Sequence, residues 1–363
     1  MQFKSRVIFF VYGTIFWASE PLQLLVEAHL LGHKAGKLSG DVHYSFSNLL
    51  VSLLTDYVAG QSFDTVRENI LDFMSKLQSE GMKIFFNHPL LLLSQIMVLK
   101  EGLHMSNVAH VDNMPKEGDI LADVAAGLSI FVMGSTQILT RACLFRKLDD
   151  VSFNIDVSGE LRRGNHQLEP FLLFGIFFEG LASFLLARQS TGEVESANMI
   201  ERGHSVLAKM KCWSEHSLWN WENKVLLLEA ESMFTNGDFE RAGPLYDSAI
   251  RSAREHKFIH EEAIASDLAG TYHYERGLRE KSYSYLVHSV ACYEKWGAHA
   301  VSRRVETDIR GYFGNDIDQL NTNADSSLEL LFASSQGSEK KRQQGSISRT
   351  HLYSATSSMA CYP

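Results

Sequence analysis

The sequence is poor in the residues that interrupt helices. It has six prolines in 363 residues, and between Pro21 and Pro244 only Pro89, Pro115 and Pro170 occur. Proline removes a backbone donor, so these long clear intervals predict an all-α fold. Cysteine is also scarce. Cys143, Cys212, Cys292 and Cys361 stand far apart, without CxxC or Cys/His ligand spacing, and read as isolated thiols of a reducing compartment. Basic charge is lacking too: the net charge is −9 and no basic stripe runs along the chain, so nucleic acid is not an expected partner.

Long apolar runs are missing as well. Lys4 and Arg6 precede Val7–Trp17 in the manner of a signal peptide, but this run is too short to span a bilayer. Near Ala18 and Ser19 there is no pair of small residues at the cleavage spacing, because Phe16 and Trp17 take those positions. Phe171–Ala187 carries Glu179 at its centre, which suits a buried helix better than a membrane span. The expected location is cytoplasmic, away from the membrane.

Catalytic patterns are incomplete wherever they begin. Gly32-His-Lys-Ala-Gly36-Lys37 has part of the form of a phosphate loop, but the glycines are one residue too close. Leu38 replaces the magnesium-binding hydroxyl, and no strand precedes the stretch. His256 and His260 are four apart, yet the HExxH order is absent and Phe258-Ile259 reads as a turn, so both histidines are expected to be solvated or capping. Glu261 and Glu262 fall on different faces of a helix and suit its N-terminal dipole. There is no Gly-x-Ser-x-Gly elbow. Trp213, Trp219, Trp221 and Trp296 suit core packing better than an aromatic groove. No catalytic, cofactor-binding or metal-binding residue is assigned, and a non-enzymatic chain is expected.

What is present is a repeated helical pattern. Leu226, Ala230, Met233 and Phe234 lead into Asn236-Gly237-Asp238, and Phe239, Ala242, Tyr246, Ala249, Ile250 and Ala253 follow on one face. Ile264, Leu268 and Tyr272 then lead to Arg276-Gly277, followed by Ser282, Leu286, Ser289, Val290 and Tyr293. The same small–aromatic–small order after glycines 40 residues apart predicts paired helices. The layout extends backwards: Asp41 and Ser62 are candidate N-caps, and Leu22, Leu24, Leu25, Ala28 and Leu31 are expected inside an early helix. Gly243-Pro244 should bend its helix or shift its start. The expected organisation is a helical-repeat solenoid over 1–315 with a turn-rich interval at 149–170. A polar tail over 316–363 lacks a packable face, apart from a short helix at 326–333.

The run Asn236-Gly-Asp-Phe-Glu-Arg-Ala-Gly-Pro-Leu-Tyr-Asp-Ser-Ala249, with Ala253–His256, Phe258–Ala263, Tyr274–Gly277 and Cys292–Gly297, resembles the tetratricopeptide-like region of large multidomain signalling ATPases. Trp17–Leu22 and Ser327–Ser335 are similar to the two ends of that region. In such proteins kinase-like and ATPase domains precede the helices, and a GAF domain and histidine kinase follow. None of their catalytic motifs occurs here, so no catalytic residue carries over. The resemblance implies an interaction or regulatory scaffold with a protein partner in the solenoid groove. A fragment of a multidomain ATPase/histidine kinase and a solenoid that senses a small effector are the alternatives it leaves open.

Overall fold

The computed structural model describes residues 3–102, 128–148, 151, 154–156 and 170–320, and all regular structure among them is helical. The order is α1 (Lys4–Thr14), α2 (Leu22–Ser39), α3 (Val42–Val58), α4 (Phe63–Ser79), α5 (Asn87–Glu101), α6 (Leu128–Phe145) and α7 (Pro170–Gln189). There follow α8 (Glu193–Ser214), α9 (Leu218–Thr235), α10 (Phe239–Glu255), α11 (Ile259–Glu275), α12 (Arg279–Trp296) and α13 (His299–Phe313). The part of the expected solenoid at 103–127, most of the interval 149–170, and the tail from 321 with its helix at 326–333 lie outside the described residues.

The caps explain several boundaries. The side chains of Asp41, Ser62 and Asp238 accept hydrogen bonds from the amides of Tyr44, Thr65 and Arg241, satisfying donors that a helix start leaves free. From α9 onward the chain turns every twenty residues. Gly237, Lys257, Gly277 and Gly297 all adopt left-handed backbone, with φ of 77°, 64°, 73° and 93°. After each, the next amide donates to a carbonyl five residues back: Asp238 to Met233, Phe258 to Ala253, Leu278 to His273 and Ala298 to Tyr293. The 40-residue period is therefore two equal helix units. At the turn read from Phe258-Ile259, Lys257 stands where the other turns have glycine.

Helix α10 runs through Pro244 without a break. The missing amide would have served the carbonyl of Glu240, an exposed residue in the first turn where water can replace it.

Packing sorts the helices into two kinds. In α4, only the stripe Phe63, Val66, Ile70, Phe73 and Leu77 is buried, as is the stripe Ala242, Tyr246, Ala249, Ile250 and Ala253 in α10, apart from Ser252 beside it. Helices α3, α5, α7 and α11 are instead buried around most of their circumference. A helix with no solvent face must be covered on every side. Here the cover comes from distant helices: α3 packs on α7, and α13 packs on α5. Tyr57, Phe174, His260, Trp296 and Phe63 form one continuous aromatic contact joining α3, α7, α11, α12 and α4. Burying each such aromatic contributes roughly 1.5–3 kcal/mol. An open solenoid would leave each repeat touching only its neighbours. The all-helical class is as expected, but at this level the space between distant helices is filled by the chain's own side chains.

Among the described residues no helix is long and apolar enough to cross a membrane. Glu179 is fully buried within α7, and the apolar start of the chain forms α1, packed on α2 and α3. Cys143 and Cys292 are free and buried.

Candidate functional site

Two features stand out: charges inside and leucines outside. The inner helices carry buried ion pairs. Lys224 of α9 and Glu261 of α11, 2% and 1% exposed, meet at 2.7 Å. Lys224 Nζ also donates to the Asn220 carbonyl at 2.8 Å and lies 4.4 Å from the centre of the Phe258 ring. Asn223 donates to the same carboxylate. Burial alone would raise the Glu261 carboxyl, but the charges of Lys224 and His260 bring it down to about 2.

This cluster also ties the early chain to the late one. Asn220 accepts from the Leu22 amide at 3.1 Å and donates to the carbonyls of Trp17 at 3.1 Å and Glu20 at 2.7 Å. His260 abuts Gly60, where an added Cβ would lie 2.3 Å from the imidazole Nδ1.

Further along, Arg188 pairs with Glu231 at 2.6 Å, and the Tyr246 hydroxyl donates to the other oxygen of that carboxylate. Asp267 is held by Arg304 and, at 3.3 Å, by Arg146. Burial would push Asp267 up, yet the two guanidinium groups keep it below the usual carboxylate range.

A fourth cluster has the composition of a metal site. Glu262 of α11 and His288 and Cys292 of α12 bring their ligand atoms within 4.8 Å of one another. His288 Nε2 lies 2.8 Å from Glu262 and 3.4 Å from the Cys292 sulfur. Arg254, however, places its Nη2 2.6 Å from Glu262 Oε1 and 3.0 Å from His288 Nε2. The guanidinium thus supplies the positive charge between carboxylate and imidazole. Burial and the neighbouring Glu262 push the Cys292 thiol upward. Arg254 thereby ion-pairs with Glu262 within the group.

The outer face of α2 is the opposite case. Leu22, Leu25, His29, Gly32 and Gly36 point inward against α3. Leu24, Leu31 and Leu38 lie on another side and are 53%, 56% and 87% exposed. Ala28 and Ala35, partly exposed, complete a seam in which Leu and Ala alternate at the 3.5-residue spacing of a coiled coil. Glu27 and Lys34 are exposed along its edge. Leu24 and Leu31 were expected inside; the structure turns them out because α3 covers only the glycine side of the helix.

The residues singled out in the sequence fall as follows. Gly32 and Gly36 lie within α2, not in a loop. An added Cβ at Gly32 would meet Asn48 at 2.4 Å, and one at Gly36 would meet Ser45 at 2.7 Å, so these glycines serve close helix packing. His256 is partly buried, its ring 4.8 Å from that of Trp219. His260 is completely buried, which corrects its expected solvation: the turn at Phe258 sends it inward. Glu261 and Glu262 do occupy the first turn of α11 on different faces, and both are buried in ion pairs. Trp213, Trp221 and Trp296 are core residues, and Trp17, Trp213 and Trp221 form one cluster. Lys224, Arg188 and Arg304 were missed. For Lys224 the available signal was its helical spacing, three residues after Trp221 and four before Leu228, which puts a charge on the apolar side.

Scans with protein-family models and searches of curated proteins and of solved structures each return no match.

Proposed function

We propose that this chain is a non-enzymatic interaction module of a signalling system, and that its docking surface is the outer face of α2. The favoured occupant is an amphipathic helix with a leucine seam and charges complementary to Glu27 and Lys34. The observation that supports this reading is the exposed Leu24–Leu31–Leu38 stripe, about 21 Å long at 1.5 Å per helical residue. Contiguous exposed apolar surface of this kind marks interaction sites, whereas scattered apolar residues need no explanation. The groove implied by the family resemblance is less suitable, since Tyr57, Phe174, His260 and Trp296 occupy the space between inner helices.

Lys34 and Lys37 are exposed on this helix and provide the test. Amine-reactive cross-linking in cells, read by mass spectrometry, is expected to join these two lysines to a second polypeptide, and Leu31→Glu should abolish the products. Products confined to other lysines, or unaffected by Leu31→Glu, would rule this surface out.

A further inference from the structure

We infer that the occupant of the α2 seam is a second copy of this chain, docked antiparallel about a two-fold axis; this rests on the reading of α2 as the docking surface. The argument comes from the order of residues along the seam: Leu24, Glu27, Ala28, Leu31, Lys34, Ala35 and Leu38.

When two such helices run antiparallel with Ala28 of one beside Leu31 of the other, Leu24 of each faces Ala35 of the other. Each large side chain then meets a small one, the alternation that lets two helices approach closely. The same register sets Glu27 of one copy beside Lys34 of the second copy, and the symmetry repeats that pair. One surface therefore supplies both halves of the contact, as an isologous interface requires. A parallel arrangement would set leucine on leucine and alanine on alanine, and would place Glu27 and the second copy's Lys34 on opposite flanks of the contact, where they cannot pair.

No element among the described residues covers this face. Leu24, Leu31 and Leu38 remain 53%, 56% and 87% exposed, while the inner seam of the same helix is already packed on α3. The glycines at 32 and 36 belong to that inner seam, so two-sided packing leaves the outer alanines as the only small residues available to a partner.

Sedimentation of the full chain over a concentration series tests the inference. The native chain is expected to shift from monomer to dimer as concentration rises. Glu27→Lys and Lys34→Glu should each weaken the dimer roughly tenfold, because the symmetry makes each change act twice. The combined Glu27→Lys, Lys34→Glu chain should regain native association. Leu31→Glu, which puts two carboxylates at the centre, should weaken it on the order of a hundredfold. All three positions are solvent-facing, and far-UV circular dichroism confirms that each variant is folded.

Orientation is read separately by oxidative cross-linking. A mixture of Leu24→Cys and Ala35→Cys chains should yield more dimer than either alone, with the native cysteines as background. A native chain that stays monomeric throughout overturns the inference, as does a double charge swap that fails to restore association. If the native chain is monomeric while Leu31→Glu still abolishes cross-links to a different protein, the second copy is wrong and the docking surface stands. If α2 yields no cross-link at all, both fail.

Discussion

Helices α11 and α2 have opposite relations to water. Helix α11 buries His260, Glu261, Glu262 and Asp267, whereas α2 holds Leu24, Leu31 and Leu38 in solvent. Glu261 is kept charged by Lys224, and Asp267 by Arg304 and Arg146, so each acid inside α11 is matched with a base on another helix. On α2, two close-packing glycines bring one side against α3, and no described element covers the other. The number of helices that surround a position, more than the residue type, decides its burial. Charges survive inside when a partner reaches them, and leucines remain outside when none does.

The comparison breaks most readily at Lys224. Replacing it with Met removes the lysine that pairs with Glu261, and the loss expected for a broken buried pair is about 3–5 kcal/mol, read by urea unfolding. A loss near zero would mean that water reaches the pair and that α11 is not dry. The same pair predicts acid sensitivity. Because folding holds Glu261 near 2, below its ordinary 4.5, its contribution is complete above about pH 4.5 and fades as pH falls towards 2. Glu261→Gln should flatten the stability profile across that window, and a native profile that is already flat would count against the ion pair.

Gly60→Ala comes next. Its φ of 82° strains any side chain, and the new Cβ would also meet His260, so a loss of roughly 2 kcal/mol is expected. Gly237→Ala is the control, with similar φ and open space, and should lose about 1 kcal/mol from strain alone. Equal losses would remove His260 as the cause.

At the entry to α11, Lys257→Gly relieves a left-handed lysine and should gain about 0.5–1 kcal/mol in thermal unfolding. The smallest effect belongs to α2. Leu31→Glu should change the stability of the isolated chain by less than about 0.5 kcal/mol, since its side chain packs on little. A large loss would show that the outer face is more than a docking surface.

Much of this was legible in the sequence. Scarce proline and the 3.6-residue periodicity gave the helices, and Asp41 and Ser62 marked two of their starts. Glycine at 237 and 277 showed two turns and Phe258-Ile259 a third, but the left-handed backbone at Lys257 has no sequence signature. The contact of α3 with α7 and of α5 with α13 could not be read, since local periodicity says which side of a helix is apolar but not what covers it. Leu24 and Leu31 were misplaced for the same reason. Lys224, Arg188 and Arg304 escaped notice because their acids lie on other helices, and pairing across 37 residues, as in Lys224 with Glu261, leaves no local pattern.

The hydrogen bond from Leu22 to Asn220 joins residues 198 positions apart. During synthesis at about 5–20 residues per second, α2 therefore waits roughly 10–40 s after its own emergence before Asn220 exists to receive it. His260, the neighbour of Gly60, arrives later still. The early helices are thus made as an unfinished surface that only α9 and the helices after it complete, and a ribosome that stalls before α9 would release a product prone to chaperone capture.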